Sequence, residues 1–162
     1  MAVTQSLART TLFNSFAVFR EILQGITAFT TIFPNADFQK DARYFEDEPN
    51  TKSKNFIGYP IITIDTDSDD EHISYTGLKQ MNFTTRVTIM TDYDVERTTP
   101  RLNRYMNAVA NHFNLNQTTL LRDYNLDGIR ITKARDRDEI NEKQLILGIL
   151  TFDYVVKLDM EN

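Results

Sequence analysis

Gln144-Leu145-Ile146-Leu147-Gly148-Ile149-Leu150-Thr151-Phe152-Asp153-Tyr154-Val155-Val156-Lys157-Leu158 is the stretch whose reading decides the fold. Positions 145 to 150 are apolar without a break, whereas Thr151, Asp153 and Lys157 make one side polar further on. A strand that is apolar on both sides is covered on both sides, so this one belongs in the middle of a sheet. The unbroken run is also far shorter than the roughly 20 residues needed to cross a bilayer. Its cover has to come from two helices, one on each face, or from helices on one face and a partner on the other.

Working back from that strand, a charged segment over 133–142 reads as a loop, and Ile129-Arg130-Ile131-Thr132 as a short strand entered through a turn at Asp127-Gly128. Before it stands the clearer of two helices. Thr99 is a candidate N-cap, Pro100 suits the first helical position, and Leu102, Met106, Val109 and Phe113 repeat on one face. A helical turn follows around 118–122. Upstream, Phe83, Thr85, Val87 and Ile89 alternate with Thr84, Arg86 and Thr88, a half-buried strand over 82–91. Pro60-Ile61-Ile62-Thr63-Ile64-Asp65 is its β-branched partner, and the polar link 66–80 reads as a long acidic hairpin loop. Leu12, Phe16, Phe19, Leu23 and Ile26 fall on one face of a first helix, with Asn14, Arg20 and Gln24 on the other.

Residues 29–59 fit none of these patterns. They hold Phe29, Phe33, Phe38, Tyr44, Phe45, Phe56 and Tyr59 without a sustained period, so the segment reads as an irregular aromatic arm. That much aromatic surface has to be buried, either on the chain's own core or on a neighbouring subunit. The expected architecture is one α+β domain over 1–162: a four-stranded, mainly antiparallel sheet flanked by two main helices, in the order α-β-β-α-β-β.

The 162 residues carry 18 basic and 23 acidic side chains, a formal charge of −5, which argues against a nucleic-acid grip or attachment to an anionic membrane. No cysteine is present, which removes disulfides and thiolate metal sites, and two histidines, His72 and His112, are too few for a multi-histidine centre. The first residues lack the basic flank and apolar block of a secretory signal, so a cytoplasm-like compartment is expected. Asp65, Asp67 and Asp69 match the first, third and fifth positions of a calcium loop, but Asp70 stands where that loop needs Gly and Thr76 where it needs a bidentate Glu. The acidic stretch therefore reads as a solvated loop. The five glycines are scattered, and no serine elbow, phosphate loop or basic stripe with interleaved aromatics occurs. The expectation is a protein that is no enzyme and has no catalytic, cofactor or metal residues.

Two stretches carry a resemblance. Asp41-Ala42-Arg43-Tyr44-Phe45-Glu46-Asp47-Glu48-Pro49-Asn50, followed by Tyr59-Pro60-Ile61-Ile62-Thr63-Ile64, is one; Val87-Thr88-Ile89-Met90-Thr91-Asp92 before a helix beginning near Pro100 is the other. With the closing strand, they resemble the tail-terminator and tail-completion proteins of long-tailed bacteriophages over roughly residues 5–158. The resemblance implies a virion protein, made in the host cytoplasm, that forms a hexameric ring on the head-proximal end of the tail. Its partners would be further copies of itself, the tail-tube protein and the head connector or neck protein, with DNA only passing through the lumen and no membrane involved.

In such a ring one patch must match a different patch on the next copy. Tyr44, Phe45 and Phe56, aromatic and outside any period, are expected near that contact. Asp67, Asp69, Asp70 and Glu71 are expected on a lumen- or tube-facing loop, where negative charge repels phosphate. The alternatives are a neck adaptor or tail-tube subunit of the same machinery and, from a different class, a small-molecule-binding α+β domain.

Overall fold

The computed structural model describes residues 14–33, 36–46, 56, 58–73, 78–92, 98–140 and 143–159. Its elements run α1 (Ser15–Gln24), α2 (Phe29–Ile32), a 3-10 turn (Asp41–Arg43), β1 (Tyr44–Phe45), β2 (Ile61–Ile73), β3 (Leu78–Asp92), α3 (Thr98–Leu115), α4 (Gln117–Tyr124), β4 (Leu126–Ile140) and β5 (Lys143–Asp159). The class is α+β. The sheet has five strands in the order β1-β2-β3-β5-β4, with β1 parallel to β2 and every other pair antiparallel. Thus the sheet is mixed and five-stranded where four mainly antiparallel strands are expected, and among the described residues four helices stand where two main ones are expected. A two-residue strand is too short to carry an alternation, which is why β1 is hidden inside the aromatic segment.

The long closing strand lies between β3 and β4, inside the sheet as its apolar run requires. Side chains alternate cleanly across it. Ile146, Leu150, Phe152, Tyr154 and Val156 join the main core, as do Ile62, Ile64, Phe83, Val87 and Ile89 from β2 and β3. Leu145 turns the other way, with Ile61 and Met90, into a second, smaller cluster.

Helix α1 opens at Asn14, whose side chain accepts a hydrogen bond from the Ala17 amide at 3.1 Å and so serves as an N-cap. Leu12 lies outside the described residues. Phe19 and Leu23 are fully buried, and Ile26, just past the helix, is buried too. The Phe19 ring lies 5.6 Å from Phe113 of α3, 5.2 Å from Phe152 and 5.5 Å from Tyr154 of β5, centroid to centroid. Helix α3 begins at Thr98, one residue before the expected cap, and presents Leu102, Met106, Val109 and Phe113 to the core as its period dictates. Asn116 closes it, donating from Nδ2 to the His112 carbonyl at 2.7 Å.

Both main helices therefore cover the same face of the sheet. A Cβ on Gly148 of β5 would meet Leu102 and Met106 of α3, on the face where Phe19 of α1 meets Phe152 and Tyr154. One helix on each face, one of the two covers expected for β5, is not what forms. The apolar other side of its first half is covered by Phe45, Phe56 and Tyr59, which pack with Leu147 on the second cluster.

The largest departures lie where polar segments read as loops. The acidic link 66–80 is mostly strand: β2 runs on to Ile73 and β3 starts at Leu78, paired as far as Ile73 with Lys79. The 133–142 segment is likewise the second half of β4, paired with β5 as far as Ile140 with Lys143. Inside the first extension Thr66 and Thr85 share a hydroxyl hydrogen bond of 2.9 Å, and Thr85 and Tyr154 one of 2.7 Å, so polar side chains satisfy one another where the apolar core thins. The turn expected at Asp127-Gly128 sits at Asn125, whose left-handed backbone (φ 61°) ends α4. Gly128 (φ 60°) instead lies in the register shift between Asp127 and Arg130, where a positive φ suits a bulge.

Candidate interaction surface

Among the described residues three parts of the fold are left for chemistry or contact: the face of the sheet that no described helix covers (the helix-free face), the outer edge of β2 and the outer edge of β4. The aromatic arm decides what the first of these looks like. Gln24 at the end of α1 donates to the Gln39 carbonyl (3.0 Å) and to Asp41 Oδ1 (2.7 Å), and Gln39 donates back to the Gln24 carbonyl. Arg20 lies 3.7 Å from the same carboxylate. These clamps fold 36–43 against the domain. Phe29 and Phe38 pack edge to face, and Phe29 stacks on Tyr105 at 4.7 Å. Most of the arm is thus cover for its own core.

Tyr44 is part of that cover. It is 5% exposed, and its hydroxyl donates to the Phe38 carbonyl at 2.8 Å. Phe45 and Phe56, by contrast, are half-buried on the second cluster, Phe56 with its ring 5.3 Å from that of Tyr59. The three aromatics expected at one contact are divided: Tyr44 faces the main core, and the other two rim an apolar patch on the helix-free face. Arg43 anchors the crossing between them. It is buried and donates from Nη1 to the Pro60 carbonyl at 2.8 Å.

Past that patch the helix-free face is polar. Rows across β2, β3, β5 and β4 read Asp65, Arg86, Thr151, Thr132 and then Asp67, Thr84, Asp153, Arg130, with Thr84 donating to Asp153 at 2.7 Å. Asp67 is exposed on this face. Asp69, Asp70 and Glu71 lie on the same strand β2, across its register shift between Ser68 and Glu71, and not on a loop; their side chains fall outside the described residues.

Titratable groups inside the domain serve packing. Burial pushes the hydroxyls of Tyr44, Tyr105 and Tyr154 well up, and with help from Glu21 and Asp123 that of Tyr124 to about 12, so all four stay protonated at neutral pH. Burial also lowers the pKa of half-buried His112, packed edge to face on Phe113. Among the described residues, no three His, Asp or Glu side chains gather closely enough to hold a metal ion, and no helix is long and apolar enough to cross a membrane.

The fully buried Tyr105 hydroxyl finds no hydrogen-bond partner among the described residues. Tyr105→Phe is therefore expected to raise stability by about 1 kcal/mol, because it deletes an unpaired polar atom and keeps the ring. A denaturation midpoint that rises with an unchanged m-value is the expected signature; a fall of similar size would mean that the hydroxyl is bonded in solution.

The acidic stretch 66–80, expected as a loop, is mostly paired strand, and the aromatic arm, expected as irregular, contains α2, the 3-10 turn and β1. Arg130, Lys133, Arg135 and Arg137 share β4 with Asp127, Asp136, Asp138 and Glu139, so the strand is highly charged but of neither sign, which is why its second half reads as a loop. The chain matches no protein-family model and no curated protein sequence.

Proposed function

We propose that this chain is a structural virion protein that forms a ring on the head-proximal end of a phage tail tube, stops tube growth and offers the surface on which the head joins. The observation that carries the reading is the one-sided sheet. All the described helices pack into a single core on one face, while the other face presents a half-buried apolar patch of Phe45, Phe56, Tyr59 and Leu147 beside a polar field. Such a subunit has distinct, non-equivalent surfaces to give to a neighbour, a tube and a lumen, which is what a closed heterologous assembly requires. The layout resembles the terminator family, and in this reading its activity is complementarity of surfaces.

Phe45 and Phe56 belong to the contact with a neighbouring copy or with the tube. The acidic outer half of β2, with Asp67, Asp69, Asp70 and Glu71, belongs to the lumen or the tube, where it keeps passing DNA from sticking. No cofactor takes part.

Native mass spectrometry of the full chain over a range of concentrations, followed by co-sedimentation with tail tubes of the same virus, tests the reading. A discrete hexamer with no larger series, bound at a tube end, is the expected result. An open-ended series would make the chain a tube subunit, and a ring that ignores tubes but binds the head connector would make it a neck adaptor. A monomer that binds neither would overturn the proposal.

A further inference from the structure

Among the described residues Arg43 is the only charged side chain that is buried, at 8% exposure. Its Nη1 donates to the Pro60 carbonyl at 2.8 Å. Its Nε is sealed from solvent with no hydrogen-bond partner among the described residues. Nη2 has no partner there either, but it is not sealed, so the guanidinium is reached from that side. No carboxylate among the described residues touches it. Burial lowers the Arg43 pKa and the charge of Asp37 opposes that shift from a distance, yet Asp37 Oδ1 is engaged elsewhere, accepting from the Gln39 amide at 3.0 Å.

A buried charge without a counter-charge is among the costlier arrangements in a protein, and a sealed donor left unbonded adds to that cost. Holding the Pro60 carbonyl calls for one donor and does not explain a whole guanidinium. The two idle donors also belong together. Nε–H and one N–H of Nη2 point the same way along one side of the guanidinium, and that fork is the one a carboxylate grips with both oxygens. Beside it lies the half-buried aromatic patch: Phe45 is two residues on from Arg43, and Tyr59, which packs with Phe56, precedes Pro60. Arginine among half-covered aromatics is the composition of the energetic centre of a protein interface.

We propose that Arg43 receives a carboxylate from a partner protein: an aspartate or glutamate enters on the Nε/Nη2 side while an apolar side chain of the same segment covers Phe45, Phe56 and Tyr59. This deepens the ring reading above and rests on it for the identity of the partner, a neighbouring copy or the tube. The fork selects a carboxylate, and the aromatics select a protein segment, because a free inorganic anion gains nothing from an apolar rim. Nη2 meets the incoming oxygen at the surface, and Nε takes the second oxygen once the segment is seated. A charge that destabilises the free chain thereby becomes a paired, desolvated contact in the complex.

The full chain labelled with nitrogen-15 tests this directly, because an arginine Nε–H gives its own NMR signal. The probes are two capped dipeptides, N-acetyl-Leu-Glu-amide and N-acetyl-Leu-Gln-amide, and inorganic phosphate. The glutamate probe is expected to move the Arg43 Nε–H signal saturably, and the glutamine probe to bind at least about tenfold more weakly. Arg43→Met, which keeps an unbranched stem without the charge, should erase that difference. Should it fail to fold, Arg43→Lys, which keeps the charge and a donor for Pro60 but has no fork, should bind the glutamate probe at least about tenfold more weakly than wild type. Equal binding of the two dipeptides, a response to phosphate as strong as that to the glutamate probe, or unchanged selectivity in the folded variant would overturn the proposal. None of these readouts needs a ring. A glutamate-selective Arg43 in a chain that binds neither itself, tubes nor a head connector keeps the receptor and removes the tail reading, whereas a tail ring whose Arg43 ignores the glutamate probe does the reverse.

Discussion

Phe19→Ala is expected to cost about 4 kcal/mol of folding stability, within the range for a large aromatic removed from a packed core. Phe19 is fully buried and lies where three elements meet, against Phe113 of α3 and against Phe152 and Tyr154 of β5. Phe113 and Phe152 also touch each other, with centroids 4.5 Å apart, so the vacated space is walled by rings already held by their other contacts and collapses poorly. A domain of this size has about 5–15 kcal/mol in all, so the variant should sit close to its unfolding threshold at 37 °C. Urea denaturation reads the loss. Phe19→Leu, which keeps much of the volume, should cost less than half as much. A loss below about 1 kcal/mol for the alanine variant would mean that α1 does not dock on the sheet as described.

Gly148→Val should be nearly as damaging for the opposite reason. Gly148 lies on β5 beneath α3, where an added Cβ would come within 2.9 Å of Ile89 Cγ2, 3.1 Å of Leu102 Cδ2 and 3.3 Å of Met106 Sδ. Leu102 and Met106 meet it with the ends of side chains, but Ile89 Cγ2 is a methyl fixed on the β-carbon of a stiff side chain, so alanine already forces a shift there. The branched valine must push the helix off the sheet, at an overpacking cost of about 1–3 kcal/mol. The test is a repair: trimming Ile89 to Ala or Met106 to Ala in the Gly148→Val background should return part of the lost stability, because each removes an atom in the close approach, although the same trims destabilise the wild type. Simple additivity of the substitutions would refute the close approach.

Much of the architecture was legible in the chain because burial within a regular element leaves a periodic trace. The spacing of Phe16, Phe19 and Leu23, that of Leu102, Met106, Val109 and Phe113, and the alternation of Phe83, Val87 and Ile89 each report a face turned to one core. The doubly apolar first half of the closing strand required a second cover. Those local signals determined the α+β class, the two principal helices and the inner position of β5.

What they could not carry was anything that depends on elements distant in sequence. Beyond residue 65 β2 runs past the bulk of the core, and beyond residue 132 β4 lies beside buried residues of β5 but is itself the exposed edge strand; at neither place must a face be apolar, so nothing in the side chains distinguishes a paired strand from a solvated loop. Tyr44 and Phe45 are sequence neighbours, and the pleat alone sends one to the main core and the other to the second cluster. Only the tertiary structure places both main helices on one face, gives Gly148 its need for a missing Cβ, and makes the acidic stretch of β2 part of a paired strand. The reason is that hydrogen bonding across a sheet joins residues far apart in the chain, and the sequence records which residues are buried or charged without recording which strand lies beside them.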